Sequence, residues 1–97
     1  MEKYTLVIYD ISDDRLRQRV SDTCRAAGLT RIQKSAFLGR QTGIQRRSLL
    51  ARLRALVEGR GGPRDNVQVF VLDGSQVRSR AVIGRPVVLE EGGVVYV

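Results

Sequence analysis

Apolar residues recur along the chain at two spacings, every second residue and every third or fourth, which predicts strands and helices in turn. The stretch KYTLVIYDI, residues 3–11, is rich in β-branched and aromatic side chains and predicts a first strand. Four apolar residues then follow at helical spacing: Leu16, Val20, Cys24 and Ala27. Gly28 supplies the stop, so a helix follows the first strand.

Three polar residues stand between this strand and this helix. Ser12 is predicted to be the N-cap, with Asp13 and Asp14 in the first turn. Carboxylates are favoured there by the free N–H groups and the helix dipole. We therefore expect both acids to stabilise the helix rather than take part in catalysis.

The next strand and helix are predicted in the same way. LTRIQKSAFLG predicts a second strand that ends at Gly39, and RQTG predicts a loop. A second helix begins near Ile44, and the Gly59 to Pro63 stretch breaks it. Its apolar stripe consists of Leu49, Leu50, Leu53, Leu56 and Val57.

Strand patterns dominate the rest of the chain. NVQVFVL, residues 66–72, predicts a third strand and residues 80–83 a fourth, while PVVL and VVYV can add one or two short strands around the turn EEGG. Two helices that cross one antiparallel sheet form the ferredoxin-like arrangement, an α+β sandwich of βαββαβ order. We expect a single domain over residues 1–97, with a core over about 3–84 and an extra strand in the tail 85–97.

The first strand carries apolar residues on both faces. Leu6 and Ile8 point one way and Val7 points the other, whereas a sheet covered on one face alternates apolar with polar residues. Because two helices cover only one face, a second copy of the chain is the economical cover for the other, which predicts a homodimer. The tail 85–97 could add to the edge of the partner's sheet or close its own.

The chain is strongly basic. Lysine and arginine number 17 against 10 acids, and the pI is about 10.7. Residues 15–64 hold 13 of the cations and two acids. Most cations are arginines, whose planar guanidinium pairs with phosphate oxygens at two points, so a nucleic acid is the first candidate partner. The alternative is that part of these arginines only solubilises helix faces.

Composition excludes several kinds of chemistry and location. Without histidine, imidazole acid–base catalysis is excluded, and the single cysteine allows neither an internal disulfide nor a thiolate metal cage. We expect Cys24 to be a small buried apolar residue. No apolar run approaches the roughly 20 residues of a membrane helix, and MEKYTLVIYD does not resemble a secretion signal. We therefore expect no membrane partner and a cytoplasmic location.

Asp10 lies at the predicted end of the first strand, where no helix begins. It can act as a turn residue whose carboxylate bonds to the following amides. Near the twofold axis of a homodimer, however, Asp10 from each copy could approach, and two such ligands with waters and phosphate oxygens are a set that Mg²⁺ accepts. A metal held by carboxylates is the route left for phosphodiester cleavage.

Three blocks of the sequence together resemble a known family. YDISDDRLRQRV, GLTRIQKSAFLG and VQVFVL are similar in order and spacing to the small CRISPR-associated adaptation proteins, the second of the two universal Cas proteins, which are often called CRISPR-associated endoribonucleases. The end of the chain, GRPVVLEEGGVVYV, matches no signature of that family. The resemblance implies a ferredoxin-like homodimer whose last strand adds to the other subunit's sheet.

The resemblance also implies a site. Asp10 corresponds to the proposed Mg²⁺ ligand, which the nuclease activity of some members requires. The family places an aromatic residue and basic residues around it, at positions matched by Tyr9, Arg17, Arg19, Arg31 and Phe37. We predict Asp10 and Tyr9 as catalytic residues, the Tyr9 hydroxyl orienting a phosphate or reaching the interface. We expect Phe37 to lie in the core, because stacking on a base needs exposure.

Five basic residues are predicted to bind nucleic acid: Arg15, Arg17, Arg19, Arg31 and Lys34. Arg15 and Arg19 are four apart and share one helix face, where they can form a row along a duplex backbone. Arg17 points elsewhere on the helix. Arg31 and Lys34 flank the start of the second strand and could add to that row.

Two functions of different classes remain open. One is a Mg²⁺-dependent endonuclease acting on RNA or DNA. The other is architectural: a basic homodimer that bridges two copies of the CRISPR integrase and holds a short DNA duplex during spacer acquisition. We favour the adaptation role in antiviral defence, with nuclease activity as an attribute. A generic ferredoxin-like RNA-binding module is disfavoured, because its aromatic stacking signature is absent from the central strands.

Overall fold

A computed structural model of the chain describes residues 2–88 and 94–95. Its elements, in order, are β1 (Lys3–Asp10), α1 (Asp14–Ala26), β2 (Thr30–Gln33), β3 (Ala36–Gln41), α2 (Gly43–Arg60), β4 (Asn66–Leu72), α3 (Gly74–Arg78), β5 (Val87–Val88) and β6 (Val94–Val95). In this part of the chain, no helix combines the length and the apolar character needed to cross a membrane.

Four strands form one antiparallel sheet in the order β2, β3, β1, β4. Each long helix connects two strands that are not neighbours, because α1 leads from β1 to β2 and α2 leads from β3 to β4. The two helices pack against each other and share one hydrophobic core with the sheet. This βαββαβ topology confirms the predicted ferredoxin-like α+β fold.

The main core lies between the helices and the sheet. Alternation along β1 places Thr5, Val7 and Tyr9 on the helix side, and all three are buried. Phe37 pairs with Val7 across β3 and β1 and is completely buried, which confirms its predicted place in the core. Cys24 is buried as predicted, and burial raises the pKa of its thiol to about 12, so the thiol is unreactive at neutral pH.

The predicted second strand, residues 29–39, is a hairpin of two strands, so the prediction of a single strand was wrong. β2 and β3 are joined by a turn at Lys34 and Ser35. The Arg31 guanidinium closes this turn by donating from Nε and Nη2 to the Lys34 carbonyl oxygen, at 3.3 and 2.8 Å. The pairing register slips within β2, and this irregularity explains why the turn was not visible in the apolar pattern.

The cap of the first helix also differs from the prediction. Asp13, not Ser12, is the N-cap, because its carboxylate accepts a hydrogen bond from the Leu16 N–H at 2.8 Å. Ser12 instead donates from its N–H and its hydroxyl to Asp65 Oδ1, both at 3.0 Å. Asp14 lies in the first helical turn, so the expectation that both acids serve the helix is confirmed.

β3 continues past Gly39 to Gln41, into the predicted loop. The buried Gln41 side chain is held there by a hydrogen bond from its Nε2 to the Ala27 carbonyl oxygen at 3.2 Å. The second helix then starts at Gly43 with Thr42 as its N-cap, one residue before the predicted start. Pairing with β1 extends this strand, since both of its last residues lie opposite the start of β1.

The prediction of a strand over residues 80–83 is wrong. The DGSQ segment before it forms the start of α3, where the Asp73 N–H donates to Gln76 Oε1 at 2.7 Å, and residues 80–83 have no regular structure. Val77 of α3 is buried together with Leu38 on the sheet face opposite the two long helices.

The tail strands pair with each other. Val87–Val88 and Val94–Val95 form an antiparallel two-stranded sheet that is separate from the four-stranded one. Residues 89–93 and 96–97 of the predicted tail lie outside the described residues. Addition of the tail 85–97 to a partner's sheet stays a prediction.

Gly39→Ala is expected to destabilise the fold. An added Cβ would lie 2.8 Å from Leu29 Cδ2 and 3.1 Å from the Gly28 carbonyl oxygen, a backbone atom at the helix stop. Because this space is already filled, we expect the free energy of unfolding to fall by roughly 1–3 kcal/mol, as measured by urea titration.

Gly59→Ala is the matched control, since it makes the same change where an added Cβ meets nothing within 4 Å. Gly59 lies inside α2, so alanine is expected to raise the free energy of unfolding by about 0.5–1 kcal/mol. Equal losses in the two variants would contradict the close packing assigned to Gly39.

Candidate functional site

The residues of β1 that point away from α1 and α2 form the centre of a sheet surface that we call the open face: Tyr4, Leu6, Ile8 and Asp10. Near Tyr4 this face is covered by α3 and Val87, which form a second small apolar cluster. Closer to Asp10 it is uncovered in the described chain, and Ile8 and Phe70 are 40% and 42% exposed. The predicted apolar character of both sheet faces is confirmed, and an uncovered apolar patch borders Asp10.

Asp10 is the last residue of β1, and its side chain is exposed on the open face. Within residues 2–88, each of the other carboxylate side chains accepts a hydrogen bond or forms an ion pair, whereas Asp10 does neither. The paired acids are Glu2, Asp13, Asp14, Asp22, Glu58, Asp65 and Asp73. The alternative in which Asp10 bonds to the following amides as a turn residue is therefore wrong.

One copy of the chain supplies few metal ligands. The described residues contain no group of three or more carboxylate, histidine or cysteine side chains able to share a metal ion. Asn66 lies directly opposite Asp10 across β4 and β1 and is exposed on the same face. Both side chains carry oxygen atoms, the ligands that Mg²⁺ prefers, so the chemistry of this corner fits Mg²⁺. No pattern in the sequence indicates a role for Asn66, because only the strand register brings it to Asp10.

Tyr9 lies on the opposite side of the sheet from Asp10. Its side chain is 3% exposed, and its ring stacks on Phe37 with the ring centroids 6.4 Å apart. Its hydroxyl, near Ser21, has no hydrogen-bond partner within the described residues. Burial raises the pKa of Tyr9, and the positive charge of Arg31 partly opposes this rise. Tyr9 and Asp10 of one copy therefore cannot contact the same bound group, and the catalytic role predicted for Tyr9 has no support in this geometry.

Arg17 holds the loop that follows Asp10. Its Nη1 donates to the Ile11 carbonyl oxygen at 2.9 Å, and its Nη2 pairs with Asp14. The guanidinium is thus engaged on two sides by its own chain. To contact nucleic acid as predicted, Arg17 would have to use the same guanidinium that already stabilises the β1–α1 loop.

Arg15 and Arg19 differ from Arg17 in having free side chains. Both are exposed on α1, and neither forms an ion pair within the part of the chain that the structure describes. Because they are four residues apart on one helix, they present two guanidinium groups on one face, as predicted. They are the two residues of α1 that remain available for phosphate.

The β2–β3 turn lies at the Asp10 end of the sheet. The Tyr9 N–H donates to the Ser35 carbonyl oxygen at 3.0 Å, which ties the turn to the end of β1. Lys34 is exposed at this turn and forms no ion pair with any described residue, while Arg31 is exposed but bonds to the Lys34 carbonyl. The structure therefore brings the predicted basic residues of the hairpin to the same end of the sheet as Asp10.

Asp65 joins the two loops beside Asp10. Besides its bonds to Ser12, it accepts from the Gly62 N–H through Oδ2 at 2.9 Å. The hydrogen bonds from Gly62 and Ser12 lower the pKa of Asp65. Because Ser12 follows β1 and Asp65 precedes β4, these bonds hold together the strand ends that carry Asp10 and Asn66.

The whole region from the start of β1 to the end of α3 matches one protein family. Residues 2–80 fit the family model described as CRISPR associated protein Cas2. The chain belongs to the Cas2 family. The resemblance inferred from the three sequence blocks is thereby confirmed, and the four-stranded sheet and both long helices of this Cas2-family chain lie inside the matched region.

Relatives of the chain carry Cas2 names. A Chloroflexus aurantiacus protein named CRISPR-associated endoribonuclease Cas2 2 is 44% identical over 78 residues, which cover 80% of this chain and 88% of that one. A Thermoproteus tenax protein named CRISPR-associated endonuclease Cas1/endonuclease Cas2 fusion is 36% identical over 73 residues, 75% of this chain and 26% of that one. A solved structure, "Crystal structure of cas2", matches with a TM-score of 0.71 at 26% identity and covers 88% of this chain and 90% of that one.

Asp65→Asn is expected to destabilise this Cas2-family fold at neutral pH and to remove part of its acid sensitivity. The folded-state pKa of Asp65 lies below the ordinary value of 3.8, so the carboxylate contributes stability above that value. This stability is lost as the pH falls through the folded-state pKa. Urea unfolding at neutral pH and at about pH 3 measures both effects.

Asp22→Asn is the control for this change. Asp22 is exposed on α1 and lies 3.9 Å from Arg25, a surface ion pair whose loss typically changes stability by less than about 0.5 kcal/mol. If both variants unfold at the same urea concentration at neutral pH, Asp65 does not stabilise the loops as described.

Proposed function

We propose that this Cas2-family protein acts in CRISPR adaptation as a homodimer that binds nucleic acid and cleaves phosphodiester bonds with Mg²⁺. The observation that carries the proposal is the state of Asp10, an exposed carboxylate without a partner among the described residues. Seven other described carboxylates are engaged by their own chain. A carboxylate left free at a sheet end is available to a metal ion.

The open face supports the homodimer. Ile8 and Phe70 expose apolar surface near the middle of the sheet. Contact with the same face of a second copy would bury these side chains of both copies. The free energy gained would be about 25 cal/mol per Å² of apolar surface removed from water. Ile8 lies on the same face of β1 as Asp10, two residues before it. Pairing of open faces about a twofold axis would therefore bring the two Asp10 carboxylates toward each other.

Asp10, with Asn66 beside it, would hold the Mg²⁺ ion between the two copies. When bound, the ion supplies Lewis acidity toward a phosphodiester and lowers the pKa of a bound water. The chain's own residues bind and orient the substrate. Arg15 and Arg19 can each donate two hydrogen bonds to the oxygens of a phosphate, and Lys34 adds a positive charge at the turn next to the site.

A purely architectural role is the second candidate. Many exposed cations have no acidic partner in the described chain, which favours binding to a polyanion whether or not it is cleaved. The Thermoproteus tenax relative named as a Cas1/Cas2 fusion supports the proposal that this chain works beside a Cas1 integrase. In this role the dimer holds a DNA duplex for the integrase, and Asp10 takes part in no reaction.

Asp10→Asn is expected to lower Mg²⁺-dependent cleavage by more than about a hundredfold, because a neutral amide is a much weaker ligand than a carboxylate. Binding measured without Mg²⁺ is not expected to weaken, since the change removes no positive charge. Cleavage of labelled RNA and duplex DNA, with Mg²⁺ and with a chelator, measures the first effect. Fluorescence anisotropy measures the second.

Asp22→Asn removes the same charge from an exposed position of α1 and is expected to cleave like the unchanged protein. Cleavage that persists in Asp10→Asn or in the chelator would remove the enzymatic proposal. The architectural role would then stand alone.

Ile8→Glu is expected to convert the dimer into a monomer, because pairing of the open faces would bury an unpaired charge at the centre of the interface. Sedimentation velocity at one protein concentration gives the oligomeric state. Ile44→Glu is the control, since Ile44 is 72% exposed on α2, away from the open face. A dimer that survives Ile8→Glu but not Ile44→Glu would place the interface on the helix side instead.

A further inference from the structure

A basic cleft opens at the outer edge of the sheet beside β2. Its volume is about 570 Å³, and it lies between the β2–β3 turn and the segment that leads into β5. Arg31 and Lys34 line it on the hairpin side, and Arg85 lines it on the other. Ile32 and Val87 supply its apolar part. This volume falls within the range of pockets that bind small ligands, so the cleft is large enough for a few atoms of a larger ligand such as a phosphate group.

The charge of this cleft is one-sided. Three cations line it, and none of the described residues around it is acidic. The cavity near the start of β1 has a mixed lining that includes Lys3, Arg40, Arg78, Glu2 and Asp73. Two of those cations form ion pairs there, whereas none of the three cations of the basic cleft forms an ion pair with a described residue. An anion that enters the basic cleft is attracted by all three.

Packing of distant residues brings Arg85 to this cleft. Val87 packs into the apolar cluster of the open face, which also contains Ile32 of β2 and Leu38 of β3. This contact holds the segment before β5 against the edge of the sheet. Arg85 thereby faces the hairpin, although it is far from Lys34 in the chain.

The groups in the cleft are free to bind an anion. Lys34 and Arg85 are exposed and form no ion pair within residues 2–88. Arg31 donates from Nε and Nη2 to the Lys34 carbonyl oxygen, so its guanidinium is already oriented. The N–H groups of its Nη1 are left to donate to an anion. A side chain that is held before binding loses less conformational entropy on binding.

We propose that this cleft binds neighbouring phosphates of a nucleic-acid strand on its path to Asp10. The inference rests on the proposed function and extends it, since Arg85 joins the basic residues predicted to bind nucleic acid. The bond between the Tyr9 N–H and the Ser35 carbonyl places the hairpin turn at the Asp10 end of β1. A strand held by Arg31, Lys34 and Arg85 therefore lies along the β2 edge, at the end of the sheet that carries Asp10.

The test compares two variants made in an Asp10→Asn background, so that cleavage cannot disturb binding. One carries Lys34→Gln and Arg85→Gln. The control carries Arg47→Gln and Arg52→Gln, two exposed cations of α2 that form no ion pair with described residues. Affinity for a labelled DNA duplex and for single-stranded RNA is measured by anisotropy over a salt series, and circular dichroism checks that both variants fold.

We expect the cleft variant to bind at least about tenfold more weakly and its log–log salt slope to fall by about 1 to 2, since each lost phosphate contact removes roughly 0.9. The affinity of the control variant is expected to fall by less than about threefold. Equal losses in the two variants would show that only net charge matters and would overturn the proposal. Unchanged affinity in the cleft variant would overturn it as well.

Two competitors identify the ligand class. Inorganic phosphate and polyglutamate are each titrated against the bound nucleic acid, using the protein with the cleft intact. Weak competition by both supports a site for a phosphodiester strand. If polyglutamate competes as strongly as an unlabelled nucleic acid of equal charge, the site recognises acidic protein and the proposal is wrong. Loss of cleavage in Asp10→Asn has no bearing on these binding results, so failure of the proposed cleavage and failure of this inference are distinguishable.

Discussion

The structure depends on the burial of one face of a four-stranded sheet under two helices. Strand side chains alternate, so burying one face of β1 sends consecutive residues to opposite environments. Tyr9 enters the core and stacks on Phe37, whereas Asp10 remains exposed on the open face. The constraint that builds the core thus decides which of these two adjacent residues can meet a substrate, and it leaves Ile8 and Phe70 uncovered beside that carboxylate.

Hydrogen bonds at the end of the sheet distinguish residues of the same charge: Asp65 from Asp10, and Arg17 from Arg15. Asp65 and Arg17 hold the loops next to Asp10 through backbone groups, which are strong and obligatory hydrogen-bonding partners. Their charges are therefore used within the fold. Arg15, two residues before Arg17 in the first turn of α1, has no such bond in the described chain and is exposed. Charge counted along a sequence does not make this distinction, because it depends on which carbonyl or amide lies within reach.

The open face and the basic cleft are different surfaces of the same sheet. The open face presents apolar side chains and a carboxylate without a partner among the described residues, which suits a second copy and a shared metal ion. The cleft at the β2 edge presents three cations and, among the described residues that line it, no acid, which suits a polyanion. Their common boundary is the turn at Lys34 and Ser35, because the Ser35 carbonyl is bonded to β1 just before Asp10. Binding and cleavage can therefore be tested by separate substitutions.

Local patterns of the sequence determined the first strand, the two long helices and the strand at residues 66–72, together with the burial of Phe37 and the position of Asp10 at a solvent-facing strand end, because periodicity and turn residues act over a few positions. The hairpin turn at Lys34 escaped them, since a register slip within β2 disturbs the alternation. Tertiary structure alone decided that Asn66 stands opposite Asp10 and that Arg85 faces the hairpin. Such contacts join residues far apart in the chain, and they depend on strand register and core packing, which no local pattern contains.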